Sequence, residues 1–347
     1  MRKLCWGLLL VLWLAIPANA LELRAPEVTG PGLDVMPENT DSFGEGLLEL
    51  LRKGAVLAIP ELETATRDCC GVLAAAMVCA LLPVLSRRVQ GYATLAGTVS
   101  IAAMLMEPAG AMLACAVDTL QEICDYGKLL CPVMTAALAA QGGITTSAAL
   151  YTGTTAFISL LSMLVSRMMI PMVALFLTLS VGYSALGEDL LKKTADAVKR
   201  FLSWLLKTVL IVFTTYMSIT GVVSGTTDAA ARKAAKVAIS SVVPLVGGVL
   251  SDASEAVLVS MGVAKNAAGV YGILAVLAML TGPFLKVGTQ YLLLKLTGAL
   301  CGIWGDKRIT GLVEDYSTAM GLLLALVATG CVLVLISTVC FMKGMEF

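Results

Sequence analysis

Long apolar stretches separated by short polar ones dominate the chain from residue 69 onward. A helix that crosses a membrane needs about 20 mostly apolar residues, and eight stretches approach that length. We place them at about 69–86, 92–117, 132–165 with a break at Gly142-Gly143, 168–186, 208–225, 267–285, 287–304 and 319–342. The pattern therefore predicts an all-α, polytopic integral membrane protein with about eight transmembrane helices.

The first 68 residues differ from the rest in pattern. Residues 1–20 have a basic start at Arg2 and Lys3, an apolar run, and the small residues Ala18-Asn19-Ala20, which is typical of a cleavable signal peptide. An uncleaved first anchor is the alternative. Residues 21–68 are polar and rich in Pro and Glu, and we expect an extracytoplasmic segment with a short helix near residues 43–58. Residues 69–347 then form the membrane domain.

The segment Glu188–Lys207 has the pattern of an amphipathic helix. One face is apolar at spacings of three and four residues, with Leu191, Ala195, Val198, Leu202 and Leu205. Its other face is basic, so we expect it to lie in the membrane interface with the cations near lipid headgroups. A simple connector between spans and a docking surface for a partner subunit are both open.

The stretch from residue 235 to 272 is apolar but interrupted by residues that break or charge a helix. The interrupting residues are Pro244, Gly247, Gly248, Asp252, Glu255, Lys265 and Asn266. We expect a re-entrant or interfacial element near 241–260, because lipid cannot satisfy freed backbone groups. Asp252 and Glu255 would share one helix face, where they either line a polar path or bind a cation, or face water from an interfacial hairpin.

Two further patterns lie within the predicted spans. Glu107 precedes Pro108 in an apolar run, so it is either a functional carboxylate at membrane depth or the interfacial end of a span. Lys286 and Lys295 are its candidate partners. Close helix packing is indicated by two small-residue pairs with GxxxG spacing, Gly221 with Gly225 and Gly298 with Gly302.

The amino-acid composition limits the kinds of catalytic and binding site that the chain can form. The chain is 58% hydrophobic and 14% charged, and it has no histidine, the usual general base and metal ligand. It also lacks a phosphate-binding glycine motif and a basic excess, so we expect no enzyme activity, no cofactor and no nucleic-acid partner. The ten cysteines include no CxxC pair. We interpret them as buried free thiols, with a disulfide at Cys124 or Cys131 as the alternative.

One part of the broken stretch also carries a family resemblance. PLVGGVLSDASEAVL at 244–258, followed by GVAKNAAGVYG at 262–272, resembles the signature of the stage III sporulation protein AE family of endospore-forming bacteria. The resemblance implies a core membrane subunit of the channel that joins the mother cell to the engulfed forespore. It would lie in the mother-cell-derived membrane around the forespore.

Partners follow from the same resemblance. It implies the other membrane proteins of the same sporulation operon and a forespore-side channel protein, and we add membrane lipid and further copies of this chain. The residues by themselves also suit a different class, a solute transporter or the membrane subunit of an ABC-type permease.

Overall fold

The described part of the chain is almost entirely helical. The computed structural model describes residues 25–27, 33–37, 43–85, 90–242, 247–304 and 307–343, and these ranges contain no strand. After a 3-10 turn at Leu33–Val35 come α1 (Phe43–Leu85), α2 (Gln90–Ala140), α3 (Ile144–Leu164), a π-helical segment (Val165–Met169), α4 (Ile170–Leu186), α5 (Asp189–Val242), α6 (Gly247–Trp304) and α7 (Lys307–Lys343). Side chains between residues 221 and 265 lie outside the description, as does the predicted signal peptide.

Glycine sets two of the helix ends. Gly142 has φ 87° and Gly187 has φ 77°, a left-handed conformation that a side chain disfavours. Gly142 lies between the end of α2 and the start of α3, so the predicted break at Gly142-Gly143 is confirmed. Gly187 ends α4, and its N–H donates to the carbonyl of Tyr183 at 2.7 Å.

The number of long apolar helices is six among the described residues, where the sequence pattern predicted eight. Six helical stretches are long and apolar enough to cross a membrane: 43–81, 94–140, 144–186, 189–220, 266–303 and 307–343. Two predicted breaks are absent, because α2 continues through residues 118–131 and α6 continues through Lys286. Helical backbone hydrogen bonds form regardless of side-chain charge, so a charged residue ends an apolar stretch without ending the helix.

The predicted element near 241–260 also differs from the structure. Residues 247–260 are the beginning of α6, which runs without interruption to Trp304, so they are not a separate re-entrant element. Pro244 belongs to 243–246, which lie outside the described residues between the end of α5 and the start of α6.

The amphipathic segment 188–207 is the start of the long helix α5, and its apolar face packs into the protein. Ala195, Val198 and Leu202 are buried in the main core, where Leu206 joins them, while Leu205 is half-buried. The predicted apolar stripe is therefore confirmed as the buried face of the helix, whereas the position of its cations near lipid headgroups stays a prediction. Packing against α4 and α7 removes this face from water as fully as lipid would.

The last helix, α7, lies at the centre of the fold. It packs against α2, α3, α4, α5 and α6. In the most apolar 18-residue stretch of α7, 61% of the residues are buried, compared with 44% or less in the corresponding stretches of the other five long apolar helices. The described helices are therefore arranged around α7, whose contacts set their relative heights.

The described cysteines are unpaired. Nine of them are free, and Cys124 and Cys131 are both buried. Cys5 lies outside the described residues. The expectation of buried free thiols holds for five of the nine, including Cys69, Cys301 and Cys331, and Cys70 is the one that is exposed.

Candidate functional site

Glu107 lies on the surface of the bundle. It is exposed on α2, and α2 continues through Pro108 without ending. Across the α1–α2 interface it lies close enough to Asp68 for the two carboxylates to repel each other. The proposed partner Lys286 instead lies near Cys115, and Lys295 is exposed on α6. The structure therefore does not bring Glu107 and Lys286 together.

The residues of the signature stretch lie in the first half of α6 or just before it. Gly247 and Gly248 are its first residues, and Asp252 and Glu255 follow within the next three turns. Their side chains, and that of Lys265, lie outside the description, while Asn266 is exposed. The helical backbone places Asp252 and Glu255 three residues apart on one helix, as the sequence predicted.

One of the two predicted glycine pairs lies against a neighbouring helix. A β-carbon at Gly298 would approach Cγ of Glu314 at 3.3 Å, and one at Gly302 would approach Cγ2 of Thr310 at 3.7 Å. Both contacts join α6 to α7. Gly221 and Gly225 lie in α5, in the part whose surroundings are outside the description.

A polar face on the middle of α2 was not singled out from the sequence. It consists of Asp118, Gln121, Glu122, Asp125 and Lys128, which recur at spacings of three and four. Glu122 is half-buried and the other four are exposed. Asp125 and Lys128 form an ion pair of 2.8 Å. The same helix buries Leu120, Ile123 and Cys124 on its other side, so α2 is amphipathic here.

The level of this polar face within the bundle is fixed by contacts around Gly127. A β-carbon there would approach Ile158 of α3 at 2.9 Å and Val334 of α7 at 3.0 Å. One turn further on, Leu130 packs against Gly272 of α6. The charged residues Asp125 and Lys128 are thus level with the middle of α3 and with the most apolar part of α7.

Two charged residues of other helices extend the polar face at one end. Cys115, on the turn before Asp118, lies near Lys286 of α6, Glu61 of α1 and Asp118 itself. Glu61 and Lys286 are both half-buried. Three helices therefore contribute charge around Cys115.

A second charged region joins α4, α5 and α7 around Asp315. This half-buried carboxylate of α7 lies beside the hydroxyl of Ser180 on α4, which is fully buried. On α5 its charged neighbours are Lys199, Asp196 and Lys192. Lys192 also lies 5.2 Å from the ring centre of Tyr183. Asp315 therefore links the basic start of α5 to the central helix.

The chemistry that these arrangements offer is limited to hydrogen bonding and charge pairing by the groups just described. In the part of the chain that is described, no three His, Cys, Asp or Glu side chains are placed to hold a metal ion. What the polar face offers is a column of charged and amide groups along the outside of a helix. Such a column can hydrogen-bond water or the polar surface of another chain.

The sequence contained a signal for both regions. Residues 118–128, DTLQEICDYGK, show polar positions at helical spacing, but their charge density suggested a loop between two spans. Asp315 directly precedes the apolar stretch 317–342. Only the packing of α2 beside α3 and α7 reveals that 118–128 is level with uncharged helix.

Comparison with known proteins gives a family match over most of the chain. The family model described as stage III sporulation protein AE matches residues 47–344. The chain is 22% identical over 185 residues to the Stage III sporulation protein AE of Bacillus subtilis (strain 168), which is 53% of this chain and 46% of that relative. The chain therefore spans about half the length of this curated relative. No solved structure matches it.

Proposed function

The chain belongs to the stage III sporulation protein AE family, and we propose that it is a non-enzymatic membrane subunit of the channel complex between mother cell and forespore. The family match over residues 47–344 is the observation that carries this proposal. The all-helical fold with six long apolar helices is compatible with a membrane subunit. Its polar regions, made of charged and hydroxyl groups without histidine, suit assembly and solvation.

We place the protein in the mother-cell-derived membrane around the engulfed forespore. Its partners would be the other membrane proteins of the same sporulation operon, a forespore-side channel protein, and further copies of the chain. The exposed apolar side chains on the outer helices, such as Ile211 and Leu160, would contact lipid or these partners.

The alternative is a solute transporter or an ABC-type permease subunit. The polar face of α2 is the observation that suits it, since transporters also carry charged groups at the level of their apolar helices. Under this alternative, replacing Glu107, Asp252 or Glu255 by the amide abolishes transport while the protein still assembles. A channel subunit tolerates these changes better than changes at packed glycines.

The test is a deletion in the native spore former, complemented with the wild-type gene or with an Asp252→Asn, Glu255→Gln double variant. We expect deletion to arrest development after engulfment, with shrinking forespores and at least a hundredfold fewer heat-resistant spores, and wild-type complementation to restore them. The double variant then shows whether the two acids contribute. Normal spore yield in the deletion strain would overturn the proposal and favour a vegetative permease.

A further inference from the structure

We infer that the polar face of α2, residues Asp118, Gln121, Glu122, Asp125 and Lys128, borders a water-filled path across the membrane. The path's use as part of a channel rests on the proposed function. The existence of the path requires only that these helices cross a bilayer. The path and the proposed function can therefore be disproved separately.

The first step is to locate the bilayer on the bundle. Stretches without any charged residue include 144–164 in α3, 208–220 in α5, 266–285 in α6 and 317–342 in α7. At a rise of about 1.5 Å per residue, 20 helical residues span about 30 Å, the thickness of the hydrocarbon core.

These uncharged stretches lie side by side. Thr154 of α3 hydrogen-bonds Ser337 of α7 at 2.7 Å, and the rings of Phe157 in α3 and Phe213 in α5 are 5.2 Å apart. At the far end of α7, Met342 packs against Gly269 of α6. A single slab of about 30 Å therefore contains the first three stretches and the part of 317–342 that packs against them.

Charged and aromatic residues mark the ends of this slab. At one end, Arg167 follows α3, Lys207 precedes the uncharged part of α5, and Trp204 is 59% exposed beside it. Lys286 marks the same end on α6. The opposite end has Lys343 and Asn266, both exposed. Interfacial Trp, Lys and Arg are typical of membrane boundaries, which supports placing the bilayer here.

The polar face of α2 is inside this slab. Gly127, between Asp125 and Lys128, contacts the middle of the uncharged stretches of both α3 and α7. A charged side chain exposed to hydrocarbon at the bilayer centre is energetically unfavourable, and such residues usually face a water-filled cavity or the interior of the bundle. Asp118, Asp125 and Lys128 are all exposed, so hydrocarbon is an unfavourable neighbour for this face and water a favourable one.

Another outer surface at the same depth has the opposite character. Leu161 of α3 and Leu120 of α2 both pack against Gly330 of α7, so Leu160 is level with Gln121. Leu160 is 41% exposed and Met163 is 54% exposed, with no charged residue between 144 and 164. At this depth, therefore, the outer surface of the bundle is apolar and suited to lipid on α3, and polar and suited to water on α2.

Cysteine accessibility tests this assignment in the full chain. Gln121→Cys and Asp125→Cys variants, with Leu160→Cys as the matched control, are produced in opened native membranes and treated with a membrane-impermeant, positively charged thiol reagent. Peptide mass spectrometry measures the modified fraction at each position, which separates the introduced thiols from the native ones. We expect Gln121→Cys and Asp125→Cys to react at least tenfold faster than Leu160→Cys.

Two results would overturn the inference. If positions 121 and 125 react as slowly as position 160, the face is covered by lipid or by protein. If all three positions react rapidly, lipid does not cover position 160 and this slab is not in the bilayer. Neither result depends on spore formation, so spore yield of the same strains tests the proposed function separately.

Discussion

The hydroxyls of Thr154 and Ser337 share a buried hydrogen bond of 2.7 Å between α3 and α7, across 183 positions of sequence. Among the described side chains, most other hydroxyl bonds return to a carbonyl of their own helix, as Thr155 does to Tyr151 at 2.7 Å. The bond between Thr154 and Ser337 therefore fixes the relative height of two helices.

We expect Thr154→Val and Ser337→Ala each to lower the free energy of unfolding by about 1 kcal/mol, because each leaves the hydroxyl of the other residue buried without this hydrogen bond. The double variant should lose less than the sum, with a coupling of about 0.6 kcal/mol, the average for such bonds between membrane helices. Denaturation of the detergent-solubilised protein measures these values. Thr155→Val is the control and should change stability little; strict additivity of the two changes would contradict the pairing.

Gly153 of α3 gives a packing prediction. A β-carbon at this position would overlap the ring of Tyr216 on α5, whose hydroxyl donates to the carbonyl of Ala149 at 3.2 Å. We expect Gly153→Ala to destabilise the protein by about 1–3 kcal/mol through overpacking. The melting temperature measured by circular dichroism should fall.

Gly288 is the control for this change. It is also helical, but a β-carbon there meets nothing within 4 Å. Gly288→Ala should leave stability unchanged or raise it by up to about 1 kcal/mol, because alanine favours the helix. Equal melting temperatures for the two variants would show that Tyr216 does not pack against Gly153.

The contact at Gly298 predicts a graded response to side-chain size. Its nearest atom across the α6–α7 interface is Cγ of Glu314, which belongs to a flexible and exposed side chain and can move. Gly298→Ala should therefore change the melting temperature little. Gly298→Leu should lower it clearly, because a larger group meets Val313 as well. A Leu variant as stable as wild type would remove the case for close packing here.

Asp315 is expected to hold the start of α5 against α7. Asp315→Asn removes the attraction to Lys199 and Lys192 while keeping the side-chain shape. We expect trypsin to cleave faster at these lysines in the variant. Glu314→Gln, one residue away on the exposed side, is the matched control and should match wild type. Unchanged cleavage in Asp315→Asn would mean that apolar packing alone secures α5.

Much of the local structure was decided by the sequence. The helical class, the break at Gly142-Gly143 and the apolar stripe at Ala195, Val198 and Leu202 follow from hydropathy, spacing and glycine, which act over a few residues. Charged residues caused more of the error in the predicted number of spans than prolines did. Lys286 and residues 118–131 looked like span ends, yet the helices pass through them.

The tertiary structure decided what each helix face meets. The spacing in residues 188–207 predicts an apolar face. Only the packing of this face against α4 and α7 shows that protein and not lipid covers it. Likewise, the spacing in residues 118–128 predicts a polar face. The depth of that face depends on contacts of α2 with Ile158 and Val334, which are far from α2 in the sequence. Periodicity is a property of one helix, whereas depth and neighbours arise from contacts between helices. The sequence by itself therefore determined the helices and their faces, and the fold determined which faces are core, which suit lipid and which require water.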